Sequence, residues 1–195
     1  MYFSEAAERN KKPIFLELRS LLKAEDHILE IGSGTGQHAC YFTEQDQSLV
    51  WQCSDISDNM PSLTKHINDQ ESNQLLPPIC LNVSAYLFAQ QKYDVVYSAN
   101  ALHIMSWDNA QLFLNNVAQA LKTDGALVLY GPYAYNDQPL CESNMTFDNF
   151  LRARDSQSGI RNFNEVNTIL QSHGFVLEID VAMPANNRLL IWKLM

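Results

Sequence analysis

Ile28-Leu29-Glu30-Ile31-Gly32-Ser33-Gly34-Thr35-Gly36-Gln37-His38 is an apolar run that closes on an acid and passes through three alternating glycines into a helical pattern. The stretch predicts a strand, a tight turn and a helix, with the turn shaped to receive a ligand. Glycine lacks a Cβ, so Gly32, Gly34 and Gly36 can take positive φ and let the backbone touch a bound molecule. A flexible turn without a ligand is the plain alternative. It is disfavoured because glycines within regular structure cost about 1 kcal/mol each.

Glu30 bears on which ligand is received. A carboxylate beside the turn repels a pyrophosphate and attracts an ammonium or a sulfonium, and S-adenosylmethionine carries both cations. The competing motif is the dinucleotide fingerprint, G-x-G-x-x-G/A. Counted from Gly32 it fails at Gln37; counted from Gly34 it is met through Gly36 and Ala39, which leaves Gly32 and Ser33 as extra residues between strand and turn. A second apolar strand, Leu49-Val50-Trp51-Gln52-Cys53, ends at Ser54-Asp55. Asp55 stands where doubly wound sheets place an acid that accepts hydrogen bonds from ribose hydroxyls. Its other reading is helix capping, which Asp55, Ser57 or Asp58 can each supply.

The chain has 195 residues, a length that predicts one domain over residues 1–195 with a sizeable core. Its formal net charge is −9 and its pI about 4.9. Such a surface repels phosphate backbones and argues against nucleic-acid substrates. Cys40, Cys53, Cys80 and Cys141 form no C-x-x-C pair and have no His at ligand spacing, so no metal site is expected and the thiols are read as buried or half-buried in a reducing compartment. No apolar segment is long enough to span a membrane, and the N-terminus lacks a charged region followed by an apolar core. The expectation is a soluble, cytoplasmic protein with no membrane partner. Its oligomeric state is not legible.

Along the chain, Ile14, Leu18, Leu21 and Leu22 recur at helical spacing and predict an amphipathic helix ahead of the first strand, within an N-terminal lid over residues 1–26. Helices are expected from Gly36 to Glu44 and from Asp58 to Ile67. A third strand, Ile79 to Val83, is expected after Pro77-Pro78. A fourth strand spans Tyr93 to Ser98 and is followed by a helix from Trp107 to Leu121. Lys122-Thr123-Asp124-Gly125 then turns into a fifth strand, Ala126 to Tyr130. After a helix from Asn162 to His173, Phe175 to Val181 and Arg188 to Lys193 read as strands whose short link requires an antiparallel pair. Alternating strands and helices imply an α/β, Rossmann-like parallel sheet with helices on both faces. The terminal hairpin separates this arrangement from a dehydrogenase half-sheet, which continues with parallel crossovers.

On these residues the chain resembles the class I S-adenosylmethionine-dependent methyltransferases from Glu5 to its C-terminus. More narrowly it resembles the methyltransferase-like family catalogued as domain of unknown function 938. The resemblance rests on Ala6-Ala7-Glu8-Arg9-Asn10-Lys11-Lys12-Pro13-Ile14, on the glycine stretch, on Ser98-Ala99-Asn100-Ala101-Leu102-His103-Ile104-Met105-Ser106-Trp107, on Tyr130-Gly131-Pro132-Tyr133 and on Met183-Pro184-Ala185-Asn186-Asn187. It implies S-adenosylmethionine as cofactor and names no acceptor. It also implies an adenine contact at the end of the third strand, where Asn82 stands in place of the Asp such enzymes often carry, with Val83 beside it.

The cofactor contacts expected around the turn are Glu30, Gly32, Ser33, Gly34, Gly36 and His38; farther along they are Asp55, Asn82, Val83 and Asn100. Methyl transfer from a sulfonium needs alignment above all, and a base only where the nucleophile carries a proton. His103, in the loop after the fourth strand, is the candidate base, with Asn100 and Tyr133 positioning the acceptor. Packing of the His103 ring against adenine is the other reading. His27, His66 and His173 read as structural. The missing Asn/Asp-Pro-Pro-aromatic segment argues against methylation of nucleic-acid bases. Residues 131–161 form a substrate-side insert in which Tyr133, Asn144, Phe147, Asp148 and Arg152 are the candidate acceptor contacts, with Arg9 and Asn10 closing the opposite side and Arg154 and Asp155 pairing at a solvated helix end. The expected activity is a small-molecule methyltransferase. The alternatives are a regulatory protein that binds the cofactor without catalysis and, further off, a nucleotide-dependent oxidoreductase.

Overall fold

The computed structural model describes residues 3–84 and 92–195. Helix α1 (Glu5–Leu18) leads into β1 (His27–Ile31), α2 (Gln37–Gln45), β2 (Val50–Asp55), α3 (Met60–Asn68) and β3 (Leu75–Cys80). The second half runs β4 (Tyr93–Ala99), α4 (Trp107–Asn116), β5 (Leu121–Gly131), β6 (Tyr133–Ala134), α5 (Glu142–Arg154), β7 (Arg161–Asn162), α6 (Phe163–Ser172), β8 (Phe175–Met183) and β9 (Asn187–Leu194). Seven strands form one sheet in the order β3-β2-β1-β4-β5-β9-β8. The pairs from β3 to β5 are parallel, and β9 runs antiparallel to both neighbours. The α/β class, the parallel sheet and the antiparallel terminal hairpin thus agree with the expectation.

Strand β1 is buried along nearly its whole length, as a strand covered on both faces must be. One apolar layer sets Phe113, Leu114, Val166 and Leu170, from α4 and α6, against Leu127 and Trp192 of the sheet. The opposite layer sets Ile14, Phe42 and Leu63, from α1 to α3, against Trp51 and Tyr97. The strand order changes direction beside β1: β1 pairs with β2 on one side and with β4 on the other. The crevice outside the carboxyl ends of these strands is where open α/β sheets bind ligands.

The local expectations need five corrections. The third strand ends at Cys80 instead of running from Ile79 to Val83, and it contains Pro77-Pro78. An edge strand tolerates proline, and the register against β2 slips there between Gln52 and Ser54. The helix after Trp107 stops at Asn116 and a 3-10 turn, Val117–Gln119, follows it; β5 already begins at Leu121, which pairs with Tyr93. Leu21 and Leu22 lie past the end of α1, in the turn that follows. Of helix α5 the sequence predicts only a solvated end at Arg154 and Asp155, not its span from Glu142. The helix buries only Asn144 and Leu151 and so carries almost no apolar period. Finally, Cys80 and Cys141 are exposed, whereas Cys53 is buried and Cys40 partly so.

Candidate active site

The glycine turn is tied to β2 by the backbone. Gly32 and Ser33 N–H groups donate to the Ser54 carbonyl at 3.0 and 2.9 Å, and the Ser54 N–H donates to Ser33 Oγ at 3.1 Å. All three glycines have positive φ, yet they do three different things. A Cβ on Gly32 would stand 2.7 Å from Ala101 Cβ, and one on Gly36 would meet Ile67 and Leu63 at 3.0 and 3.1 Å. A Cβ on Gly34 would meet nothing within 4 Å. Only Gly34 therefore presents bare backbone to open space; Gly32 and Gly36 admit the loop after β4 and helix α3.

Asp55 closes the turn from the end of β2. Its carboxylate accepts from Gly34 N–H at 2.6 Å, from Ile56 N–H at 2.8 Å and from Asn59 Nδ2 at 2.9 Å. It shares a cavity of about 570 Å³ with Asn82, Val83, Ala101 and Asn109. The amide oxygen of Asn82 accepts from Ser84 N–H at 3.1 Å and Ser84 Oγ at 2.8 Å, an Asx turn that sets the side chain at the cavity rim.

Past Gly34, Asn59 and Ile104 the space continues into a middle cavity of about 350 Å³, lined by Ser33, His38, Asn100 and His103. Past Ala6, Asn100 and Phe147 it continues again into a third cavity of about 530 Å³, between α1, α5 and the β8–β9 turn. Asn100 stands at that second junction with φ +61°, a left-handed conformation that Asn tolerates better than most side chains. His103 is 3% exposed, its ring edge-on to Phe147 at 5.4 Å between centroids. Among the described residues no protein group hydrogen-bonds its ring. Burial, with help from Arg161, pulls its pKa down to about 4.

Sequence reasoning missed Arg161. Its guanidinium donates to the carbonyls of Leu102, Met105 and Gln157 and lies over the Trp107 ring at 5.3 Å, so it braces the loop that carries His103. A buried arginine answering three carbonyls leaves no local pattern in the sequence. Tyr130 and Asn187 were likewise missed as lining residues of the third cavity.

Several expected contacts lie elsewhere. Glu30 is 1% exposed and faces away from the trench: it accepts from Trp51 Nε1 at 3.1 Å, and His38 Nδ1 stands 3.6 Å away. Its carboxylate braces the underside of the turn because the indole of β2 and the imidazole of α2 reach it first. Tyr133 is buried in β6 and lines a separate cavity with Tyr135 and Arg188. Asp148 and Arg152 hold each other at 2.7 Å, and Asp148 also accepts from Ile160 N–H, so both are used to tie α5 to the following turn. Arg154 lies over Phe150, and Asp155 accepts from Gln157 N–H instead of pairing with it. Asn144 and Phe147 do face the third cavity, as do Arg9 and Asn10 from α1. Asn10 Oδ1 also contacts His38 Nε2 at 2.7 Å, joining α1 to α2.

A doubly wound sheet finished by an antiparallel hairpin, with a glycine turn and a strand-end acid at its switch point, defines the class I methyltransferase fold. Solved structures agree. The mitomycin 7-O-methyltransferase MmcR is 14% identical with a TM-score of 0.82 over 97% of this chain and 54% of its own. An O-methyltransferase family protein from Burkholderia thailandensis is 17% identical with a TM-score of 0.80, over 97% and 57%. A putative methyltransferase from Bacillus halodurans C-125 is 14% identical with a TM-score of 0.71, over 92% and 97%. The chain spans little more than half the length of the first two. Within this class, the chain belongs to the family described as Protein of unknown function (DUF938), whose model matches residues 1–194.

Proposed function

We propose that this chain is an S-adenosylmethionine-dependent methyltransferase acting on a small molecule. The observation that carries the reading is the three-part trench along the carboxyl ends of β1, β2 and β4, with Gly34 open to it and the space continuing past Asn100. Asp55, Asn82 and Val83 would hold the adenosyl part. The Gly34 turn and His38 would hold the methionyl part, and the third cavity would take the acceptor. When bound, S-adenosylmethionine supplies a methyl group on a positively charged sulfur that departs as a neutral thioether.

The protein's share is alignment and exclusion of water. A lone pair of the acceptor atom forms the new bond to the methyl carbon, and the carbon–sulfur pair stays on sulfur. If the acceptor atom carries a proton, that proton becomes strongly acidic as the bond forms. The His103 ring, neutral at pH 7 and without a hydrogen-bond partner among the described residues, lines the middle cavity beside Phe147, which borders both cavities, and would receive it. With a pKa near 4 it is too weak a base to ionise an acceptor beforehand.

Calorimetry tests the cofactor half: adenosylhomocysteine should bind and NAD should not. Asp55→Ala should weaken binding by about 1–3 kcal/mol through lost hydrogen bonds to a charged group. Transfer of tritiated methyl to a small-molecule extract tests the catalytic half. Tighter binding of NAD would overturn the first, and binding without transfer would leave a cofactor-binding protein.

A further inference from the structure

Among the described residues lining the third cavity, Arg9 alone carries a charge; the others are amides, hydroxyls and apolar side chains. Its guanidinium has no ion-pair or hydrogen-bond partner among the described residues. Other arginines of this acidic chain are engaged: Arg152 with Asp148, Arg188 with Asp180, Arg161 with backbone carbonyls. Arg9 is displayed on the cavity wall by α1, one turn before Pro13, which lines the same wall and denies the Arg9 carbonyl its i+4 donor.

The remaining walls say what accompanies the charge. Pro132, Phe147 and Pro184 offer flat apolar surface, while Asn144 and Asn187 are neutral amides whose Nδ2 groups already donate to the Asn186, Pro184 and Ala185 carbonyls. Arg9 lines this cavity and not the middle one, whereas Asn100 lines both. A group held by Arg9 would therefore bind on the third-cavity side of Asn100.

Resting on the reading of the middle cavity as the methyl-donor site, we propose that the acceptor is a small molecule with an apolar body and one carboxylate, and that Arg9 binds the carboxylate as a handle. A guanidinium matches a carboxylate with two parallel hydrogen bonds. One arginine balances one negative charge. A dianionic phosphate would meet no second cation among the described residues of these walls.

The test uses the full chain saturated with adenosylhomocysteine. Benzoate and phenylacetate are titrated against benzamide and phenylacetamide by ligand-observed NMR. The acids should bind at least about tenfold tighter than their amides, the range of a charge-assisted pair. Arg9→Gln should abolish that preference, Arg9→Lys should keep part of it, and adenosylhomocysteine affinity should stay within about twofold in both. Equal affinity of acid and amide in the unaltered protein overturns the proposal. So does a tenfold loss of adenosylhomocysteine binding in Arg9→Gln, which would assign Arg9 to the cofactor's own carboxylate. Failure of the unaltered protein to bind adenosylhomocysteine would instead remove the cofactor reading beneath it.

Discussion

His103 shows what burial does to a single titratable group. Folding takes its ring out of water beside the Arg161 cation, and both effects disfavour the imidazolium, so the pKa falls from an ordinary 6.5 to about 4. The sign of the consequence follows. Above pH 6.5 neither folded nor unfolded chain binds this proton, and the group leaves stability unchanged. Between 6.5 and 4 the unfolded chain takes a proton that the fold refuses, and stability falls by roughly 3 kcal/mol over that window. Urea unfolding at pH 7 and pH 4.5 should therefore show a larger loss in the unaltered protein than in His103→Asn. Equal losses would mean that the ring protonates freely in the fold. Glu30 teaches the converse lesson about single residues. The sequence reads this strand-end acid as a ligand contact, but Trp51 and His38 claim its carboxylate, and it supports the turn from beneath.

At the scale of elements, α1 is fastened at its N-terminus by polar contacts. Gln37, the first residue of α2, accepts from Ser4 N–H at 2.6 Å and Thr35 Oγ1 at 2.8 Å, and its Nε2 donates to Glu8 at 3.0 Å. One side chain thus clamps the N-terminus of α1 across the glycine turn, closing one wall of the middle cavity. Gln37→Ala removes three hydrogen bonds, a local loss of about 1–3 kcal/mol. Amide hydrogen exchange should quicken in the first two turns of α1 while β1 and β4 keep their protection. Unchanged exchange in α1 would show that Ile14 and Leu18 anchor the helix without the clamp. Helix α5 is the opposite case to α1: its polar sequence hides it, and only the insert's packing over His103 through Phe147 reveals why it forms there.

For the molecule as a whole, the formal charge of −9 sets which partners approach. Phosphate backbones bind through released counterions, and an acidic surface offers few sites for that exchange. Bulk RNA and duplex DNA should neither shift the protein in a gel at physiological salt nor accept label from methyl-tritiated cofactor; labelled RNA would overturn the small-molecule reading. No helix among the described residues is long and apolar enough to cross a membrane.

By itself the sequence determined the strand-turn-helix at Gly32 to Gly36, the alternation that makes a parallel sheet, and the closing antiparallel hairpin. Each of these is local, written in apolar period, glycine placement or the length of a link. Tertiary structure alone decided which glycine faces open space, because Ala101, Leu63 and Ile67 come from other elements. It also turned Glu30 inward, set Asp148 and Arg152 against each other, and left Arg9 on a cavity wall without a partner among the described residues. A side chain's role depends on which groups reach it first. That is a property of the packed fold, and no neighbouring residue in the chain records it.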